Sequence, residues 1–88
     1  MREGENDTVF YDRGRVVWRE KDRYPVDGLY EVDDLGLDRR TRNALIRNGL
    51  TTHASIAFFM ERDLLARVRN IGKEREQKIR EHLQRRLP

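Results

Sequence analysis

The sequence predicts a mostly α-helical fold, a compact bundle of short helices, with a β-hairpin added at the N-terminus. Apolar residues recur at helical spacing from residue 32 onward, whereas residues 8–18 carry two runs of β-branched and aromatic residues around a glycine turn. The 88 residues are enough for one small domain. Because 40% of them are charged and the mean hydropathy is −0.96, the core must be small and the surface strongly solvated.

The predicted hairpin lies within residues 1–31 and follows a polar tail over residues 1–7. Gly14 supplies the left-handed conformation that a short hairpin loop requires. Since a two-stranded hairpin is only marginally stable alone, we expect it to pack against the helices. Its aromatic residues either enlarge the core in this way or form an exposed surface for a protein partner. These residues are Phe10, Tyr11, Trp18, Tyr24 and Tyr30.

Helices are predicted over residues 39–48, 53–59, 61–67 and 73–87. Asp38 is a good N-cap for the first helix, and Gly49 ends it in a left-handed conformation. Either Thr51 or Thr52 caps the second helix. The predicted buried stripe of the first helix is Thr41, Ala44 and Leu45. That of the last helix is Ile79, Leu83 and Leu87.

The turn between the last two predicted helices carries the clearest functional signal. Its sequence is Asn70-Ile71-Gly72-Lys73, after which a new helix starts at once. A helix N-terminus presents unpaired N–H donors and a partial positive charge, and a glycine there lets the backbone approach a ligand closely. The pattern is typical of a helix-hairpin-helix, whose usual ligand is a nucleic-acid phosphate.

Positive charge is concentrated in the helical part of the protein. Residues 1–31 have a net charge of −2, whereas residues 32–88 have a net charge of +5. A basic half favours a polyanionic partner, although a solvated helical surface has the same composition.

Residues 32–87 resemble the C-terminal domain of the bacterial RNA polymerase α subunit. The similarity rests on VDDLGL at 32–37, RTRNAL at 40–45, NGLTT at 48–52, DLL at 63–65 and RVRNIGK at 67–73, in the family's order and approximate spacing. It implies tandem helix-hairpin-helix units that bind the DNA minor groove, preferring A·T-rich sequences, and that contact activators and sigma factors. Residues 1–31 have no counterpart in it, so we divide the protein into an N-terminal tail and hairpin over 1–31 and a helix-hairpin-helix domain over 32–88.

The resemblance also implies the roles of particular residues. The family's minor-groove arginine falls on Arg40, its neighbouring asparagine on Asn43 and its hairpin glycine on Gly72. The protein departs from the family at four positions, where the family has a short polar side chain, a lysine, a serine and a glutamate. In the same order, this sequence has Ala44, Glu74, Arg75 and Lys78 at these positions.

The helical spacing supports one half of this site. Arg40, Asn43 and Arg47 share one face of the first helix, and Arg39 is adjacent. A guanidinium suits the narrow, electronegative minor groove of A-tracts, and an asparagine bonds to its base edges. The alternative is that these residues form only the solvated face of an amphipathic helix.

The second half of the predicted site is the turn and the start of the last helix, with Asn70, Gly72, Lys73 and Arg75. Backbone N–H groups and the Lys73 ammonium would hold a phosphate. Glu74 opposes this, because a carboxylate in the first turn satisfies the helix dipole itself. The alternative is an ordinary surface helix stabilised by ion pairs.

Other functions lack support in the sequence. There is no cysteine, His53 and His82 lack metal-ligand spacing, and no nucleophile or phosphate-loop motif is present. No run approaches the roughly 20 apolar residues that span a membrane. We therefore expect no enzyme, cofactor, metal, small-molecule substrate or membrane partner, and a cytoplasmic, nucleoid-associated location.

The sequence thus predicts a non-enzymatic DNA-binding domain that acts in transcription. The main alternative is a protein-interaction module that binds RNA polymerase, a sigma factor or a regulator and has little affinity for DNA. Binding to structured RNA is a third hypothesis.

Overall fold

The computed structural model describes residues 8–23 and 28–86 of the protein. It is mostly helical and carries one two-stranded antiparallel hairpin, which confirms the predicted class; the tandem arrangement of helix-hairpin-helix units stays a prediction. The strands are β1 (Val9–Asp12) and β2 (Arg15–Arg19), and the α-helices are α1 (Arg39–Arg47), α2 (His53–Glu61) and α3 (Gly72–Arg86). Short 3₁₀ turns occupy Glu20–Asp22, Glu31–Leu35 and Leu65–Arg67.

The inner face of the hairpin is aromatic and packs on α2. Phe10 and Trp18 are register partners, and their rings stack with centroids 5.1 Å apart. Phe10 then stacks on Phe58 at 5.4 Å, and Trp18 meets the edge of Phe59 at 5.4 Å. Arrangements of this kind add to the gain from burial alone. The expectation that the hairpin aromatics enlarge the core is therefore confirmed for these rings.

The remaining hairpin aromatics divide between core and surface. Tyr30 is partly buried against the core, whereas Tyr11 is 60% exposed on the other face of the hairpin. Its register partner Val16 is also 41% exposed. Tyr24 lies outside the described residues.

A polar contact joins the hairpin to the end of α1. The Trp18 indole N–H donates to the carbonyl oxygen of Asn48 at 2.7 Å. Gly49 follows in a left-handed conformation with φ of +78°, and a Cβ on it would lie only 3.1 Å from Trp18 Nε1. A glycine is therefore needed there both to end α1, as predicted, and to admit the indole.

The predicted starts of the first two helices are confirmed by hydrogen bonds to capping side chains. Asp38 accepts hydrogen bonds from the Thr41 backbone N–H at 3.2 Å and the Thr41 hydroxyl at 2.7 Å. Thr52, and not Thr51, caps α2 by accepting from the Ser55 N–H at 3.1 Å. These contacts satisfy N–H groups that have no partner within the helix.

The predicted separate helix over residues 61–67 is wrong. Helix α2 continues beyond the predicted end at residue 59 to Glu61 and closes in a Schellman motif. There the Leu64 N–H donates to Phe59 O at 2.8 Å, and the Asp63 N–H donates to Met60 O at 3.1 Å. Asp63 has φ of +55°, which reverses the backbone so that only a 3₁₀ turn fits before α3. Because an aspartate and not a glycine occupies this position, the sequence did not indicate that the helix ends there.

The core lies where α1, α2 and α3 meet. The predicted stripe of Thr41, Ala44 and Leu45 is buried, as are Ile79 and Leu83 of α3. Ile46 extends the buried face of α1 beyond the predicted stripe. Leu87 lies outside the described residues.

The hydrogen bonds of two acidic side chains give the domain a defined response to acid. Hydrogen bonds from Thr41 lower the pKa of Asp38, and a hydrogen bond from Arg42 lowers the pKa of Asp33, both below the usual 3.8. A carboxyl with a lowered folded-state pKa stabilises the fold above its unfolded pKa and loses that contribution as pH falls through the folded pKa.

We expect the free energy of unfolding to decrease below about pH 4, and to decrease less steeply in Asp38→Asn, because an asparagine caps the helix without titrating. Urea unfolding of both proteins between pH 7 and pH 2.5 measures this difference. Identical pH profiles would mean that Asp38 is not a source of the acid sensitivity.

Candidate nucleic-acid interface

Most of the predicted site residues line one cleft between α1 and the turn that precedes α3. Its volume is about 340 Å³, and Ala44 contributes to its wall. The predicted residues that line it are Arg40, Asn43, Arg47, Asn70 and Arg75. The fold therefore brings the two halves of the predicted site together, although Asn70 follows Arg47 by 23 positions in the sequence.

One face of helix α1 forms one wall of the cleft, because residues three and four positions apart lie on the same side of a helix. Arg40 and Arg47 are exposed, and the half-buried Asn43 lies between them on the same face. The Asn43 side-chain oxygen accepts a hydrogen bond from Arg42 Nη1 at 2.9 Å. This contact orients the amide and leaves its NH₂ group as a hydrogen-bond donor.

The opposite wall is the turn between the 3₁₀ segment and α3. Ile71 is buried and anchors the turn in the core, while Asn70 and Gly72 on either side have φ of +70° and +65°. The Arg75 guanidinium donates to the backbone carbonyl of Asn70 at 2.9 Å, which connects the first turn of α3 to the cleft. Among the described residues, apart from its chain neighbours and the backbone of α3, no atom lies within 4 Å of a Cβ placed on Gly72, so its left-handed conformation and not a lack of space favours glycine.

Gly72 and Lys73 lie in a neighbouring cleft at the start of α3. It shares Arg75 with the first cleft and also contains Lys78, but the carboxylates of Asp38 and Glu74 line it as well. Cationic and anionic groups therefore compete there for any phosphate. Arg39 is exposed at the start of α1 and lines neither cleft.

The charge of the first cleft is not compensated by the described residues. None of the aspartates and glutamates among them lines it. Within residues 8–23 and 28–86, neither Arg40 nor Arg47 forms an ion pair with a carboxylate. Two guanidinium groups that line one cleft without a counter-charge produce a positive potential that attracts a polyanion.

Asn48 connects this cleft to the hairpin, and sequence reasoning assigned it no such role. Its side-chain NH₂ donates to the main-chain carbonyl oxygens of Ala44 at 2.7 Å and Arg69 at 3.3 Å. Its main-chain carbonyl oxygen accepts the hydrogen bond from the Trp18 indole N–H. One residue thus holds together the end of α1, the turn before α3 and the hairpin. The only signal in the sequence is an asparagine directly before the glycine that ends α1.

Within the described ranges, no group of His and acidic residues could hold a metal ion. None of the helices in the same ranges combines the length and the apolar character that a membrane span requires.

A tight glycine turn at the start of a helix, beside an arginine-lined cleft, is suited to binding a polyanion such as a nucleic acid. A family model that describes the C-terminal domain of the bacterial RNA polymerase alpha subunit matches residues 22–85. The protein therefore belongs to this family of transcriptional DNA-binding domains, which implies interactions with DNA and with RNA polymerase or activators.

The family match begins ten residues before the resemblance described above, at residue 22 instead of residue 32. The predicted division at residue 31 stays a prediction. No curated protein and no solved structure gave a significant match.

Proposed function

We propose that the domain binds duplex DNA through its minor groove, with a preference for A·T-rich sequences, at the cleft between α1 and the turn before α3. The observation that carries this proposal is the pair of uncompensated guanidinium groups, Arg40 and Arg47, on either side of the Asn43 amide. Runs of A·T pairs narrow the minor groove and strengthen its negative potential, which favours an inserted arginine.

In the proposed complex, Arg40 enters the groove and Asn43 contacts the base edges. The A·T pairs present only the adenine N3 and thymine O2 acceptors in the minor groove. The Asn43 NH₂ group is a donor and matches them, because its side-chain oxygen is already occupied by Arg42. A G·C pair adds a guanine NH₂ donor to the groove, which an amide donor does not match.

The start of α3 contributes a weaker contact to the DNA backbone. Its free N–H groups and the Lys73 ammonium attract a phosphate. The Glu74 and Asp38 carboxylates in the same cleft oppose that attraction. We therefore expect the groove contact of Arg40, and not this helix start, to dominate the affinity.

An amide chemical-shift titration with an A·T-rich duplex at two salt concentrations tests this proposal. We expect salt-sensitive shifts that cluster at residues 39–43 and 71–75, and smaller shifts with a G·C duplex of equal length. Absence of shifts even at low salt would contradict DNA binding. Larger shifts with an RNA duplex would contradict the choice of DNA.

The outer face of the hairpin favours a second candidate function, a protein-interaction module. Tyr11 and Val16 face each other across the two strands and are both exposed, so they form a small apolar patch. The partner in this case would be RNA polymerase, a sigma factor or a regulator. Under this alternative the titration with DNA produces no shifts at the cleft.

A further inference from the structure

Another cleft, different from the one at the start of α3, continues from the first cleft along the end of α1; we call it the second cleft. It is lined by Arg47, Asn48, Arg69 and Asn70. Because Arg47 and Asn70 also line the first cleft, the two form one groove that runs from Arg40 toward the hairpin side of the domain. The family resemblance pointed in another direction, toward Gly72 and Lys73.

The charge of this continuation is as little compensated as that of the first cleft. Arg47 and Arg69 are both exposed, and neither pairs with a carboxylate anywhere in the described part of the protein. Among the residues that the structure describes, no acidic residue lines the second cleft. The start of α3 differs in this respect, since the carboxylates of Asp38 and Glu74 lie there beside Lys73.

The backbone that carries Arg69 is held in place. Its carbonyl oxygen accepts a hydrogen bond from the Asn48 side chain, and Asn48 is in turn bonded to Ala44 within α1 and to Trp18 in the hairpin. The Arg69 backbone is therefore attached to the end of the helix that carries Arg47. Less conformational freedom is then lost when the two side chains bind one ligand.

We propose that Arg47 and Arg69 together contact a phosphate of the DNA backbone beyond the minor-groove contact of Arg40. This inference rests on the proposed function and adds to it the direction of the DNA along the protein. The duplex continues from Arg40 past the end of α1 toward the hairpin. Arginine suits this role, because its planar fork matches the geometry of a phosphate.

Neutral substitutions at the two arginines test the phosphate contact. We measure the affinity for an A·T-rich duplex by fluorescence anisotropy over a series of salt concentrations, using Arg69→Gln, Arg47→Gln and the double variant. Loss of one phosphate contact should reduce the magnitude of the negative slope of log K against log salt by about 0.9. Since phosphate contacts carry no sequence information, the ratio of A·T to G·C affinity should not change.

Arg67→Gln is the matched control. Arg67 is exposed two residues before Arg69 and lines neither cleft of the groove, so its loss removes the same charge away from the proposed contact. Glutamine at position 69 keeps the backbone carbonyl that Asn48 binds, so the turn should stay in place. Unchanged thermal unfolding of every variant verifies this.

The outcomes separate this inference from the proposed function. If Arg69→Gln and Arg67→Gln have equal salt slopes while binding still depends on Arg40, the phosphate contact is overturned and the groove site stands. If Arg69→Gln changes the A·T to G·C ratio, Arg69 reads the groove and the assignment to a phosphate is also overturned. If Arg40→Gln binds as the unaltered protein does, the proposed function fails.

Discussion

Replacement of Arg40 by alanine should weaken binding to an A·T-rich duplex about 10- to 100-fold, or by roughly 1–3 kcal/mol. The Arg40 guanidinium has no carboxylate partner within the described ranges and lines the cleft beside Asn43. Its loss therefore removes a groove contact without breaking a contact inside the protein. Fluorescence anisotropy at one fixed salt concentration measures the change.

Arg39→Ala is the control for this experiment. Arg39 precedes Arg40 directly, is likewise exposed, and lines neither cleft at the site. Arg39 carries the same charge as Arg40, but its side chain does not line the cleft where Arg40 is proposed to enter the groove. We expect a much smaller loss for Arg39→Ala and no loss of preference for A·T over G·C. Equal losses for the two variants would mean that net charge, and not insertion of Arg40, determines the affinity.

Replacement of Trp18 by alanine should reduce the free energy of unfolding by about 2–4 kcal/mol, near the lower end of the range for large aromatic residues because the indole is only partly buried. The substitution removes the stack on Phe10, the edge contact with Phe59 and the hydrogen bond to Asn48. A domain of this size has little stability to lose. Urea unfolding followed by far-UV circular dichroism measures the effect.

Two further substitutions complete this experiment: one removes only the hydrogen bond and part of the packing of Trp18, and the other is a control on the exposed face of the hairpin. Trp18→Phe keeps an aromatic ring but lacks the indole N–H, so it should cost about 1 kcal/mol plus the loss of packing area. Tyr11→Ala removes an aromatic ring from the exposed face of the same hairpin and should change stability by no more than about 0.5 kcal/mol. If Trp18→Ala were as mild as Tyr11→Ala, the hairpin would not contribute to the core.

Local signals in the sequence were sufficient to predict most of the fold. Asp38 and Gly49 mark helix boundaries through contacts with residues a few positions away, which a local pattern can predict. For α2 the sequence predicted a threonine cap but left Thr51 and Thr52 as alternatives, and the structure identifies Thr52. The end of α2 was missed because Asp63 adopts the left-handed conformation that usually signals itself by a glycine. The separate helix predicted over residues 61–67 was therefore wrong.

The candidate site was predictable along α1 and less so across the fold. Helical spacing alone assigned Arg40, Asn43 and Arg47 to one face. The role of Asn48 depends on contacts with Trp18 and Arg69, which lie 30 and 21 residues away, and no local pattern encodes contacts of that range. The same limitation applies to the separation of Lys73 from the Arg40 cleft.

The contact between Trp18 and Asn48 also gives the protein a built-in optical probe. Trp18 is the only tryptophan in the sequence, so intrinsic fluorescence excited at the red edge comes from this indole alone. Its N–H is bonded to the residue that also holds the turn beside the arginine groove. The emission maximum therefore reports, without any added label, whether the hairpin is packed on the helices, and a change on addition of DNA would show that binding at the groove alters the surroundings of this indole.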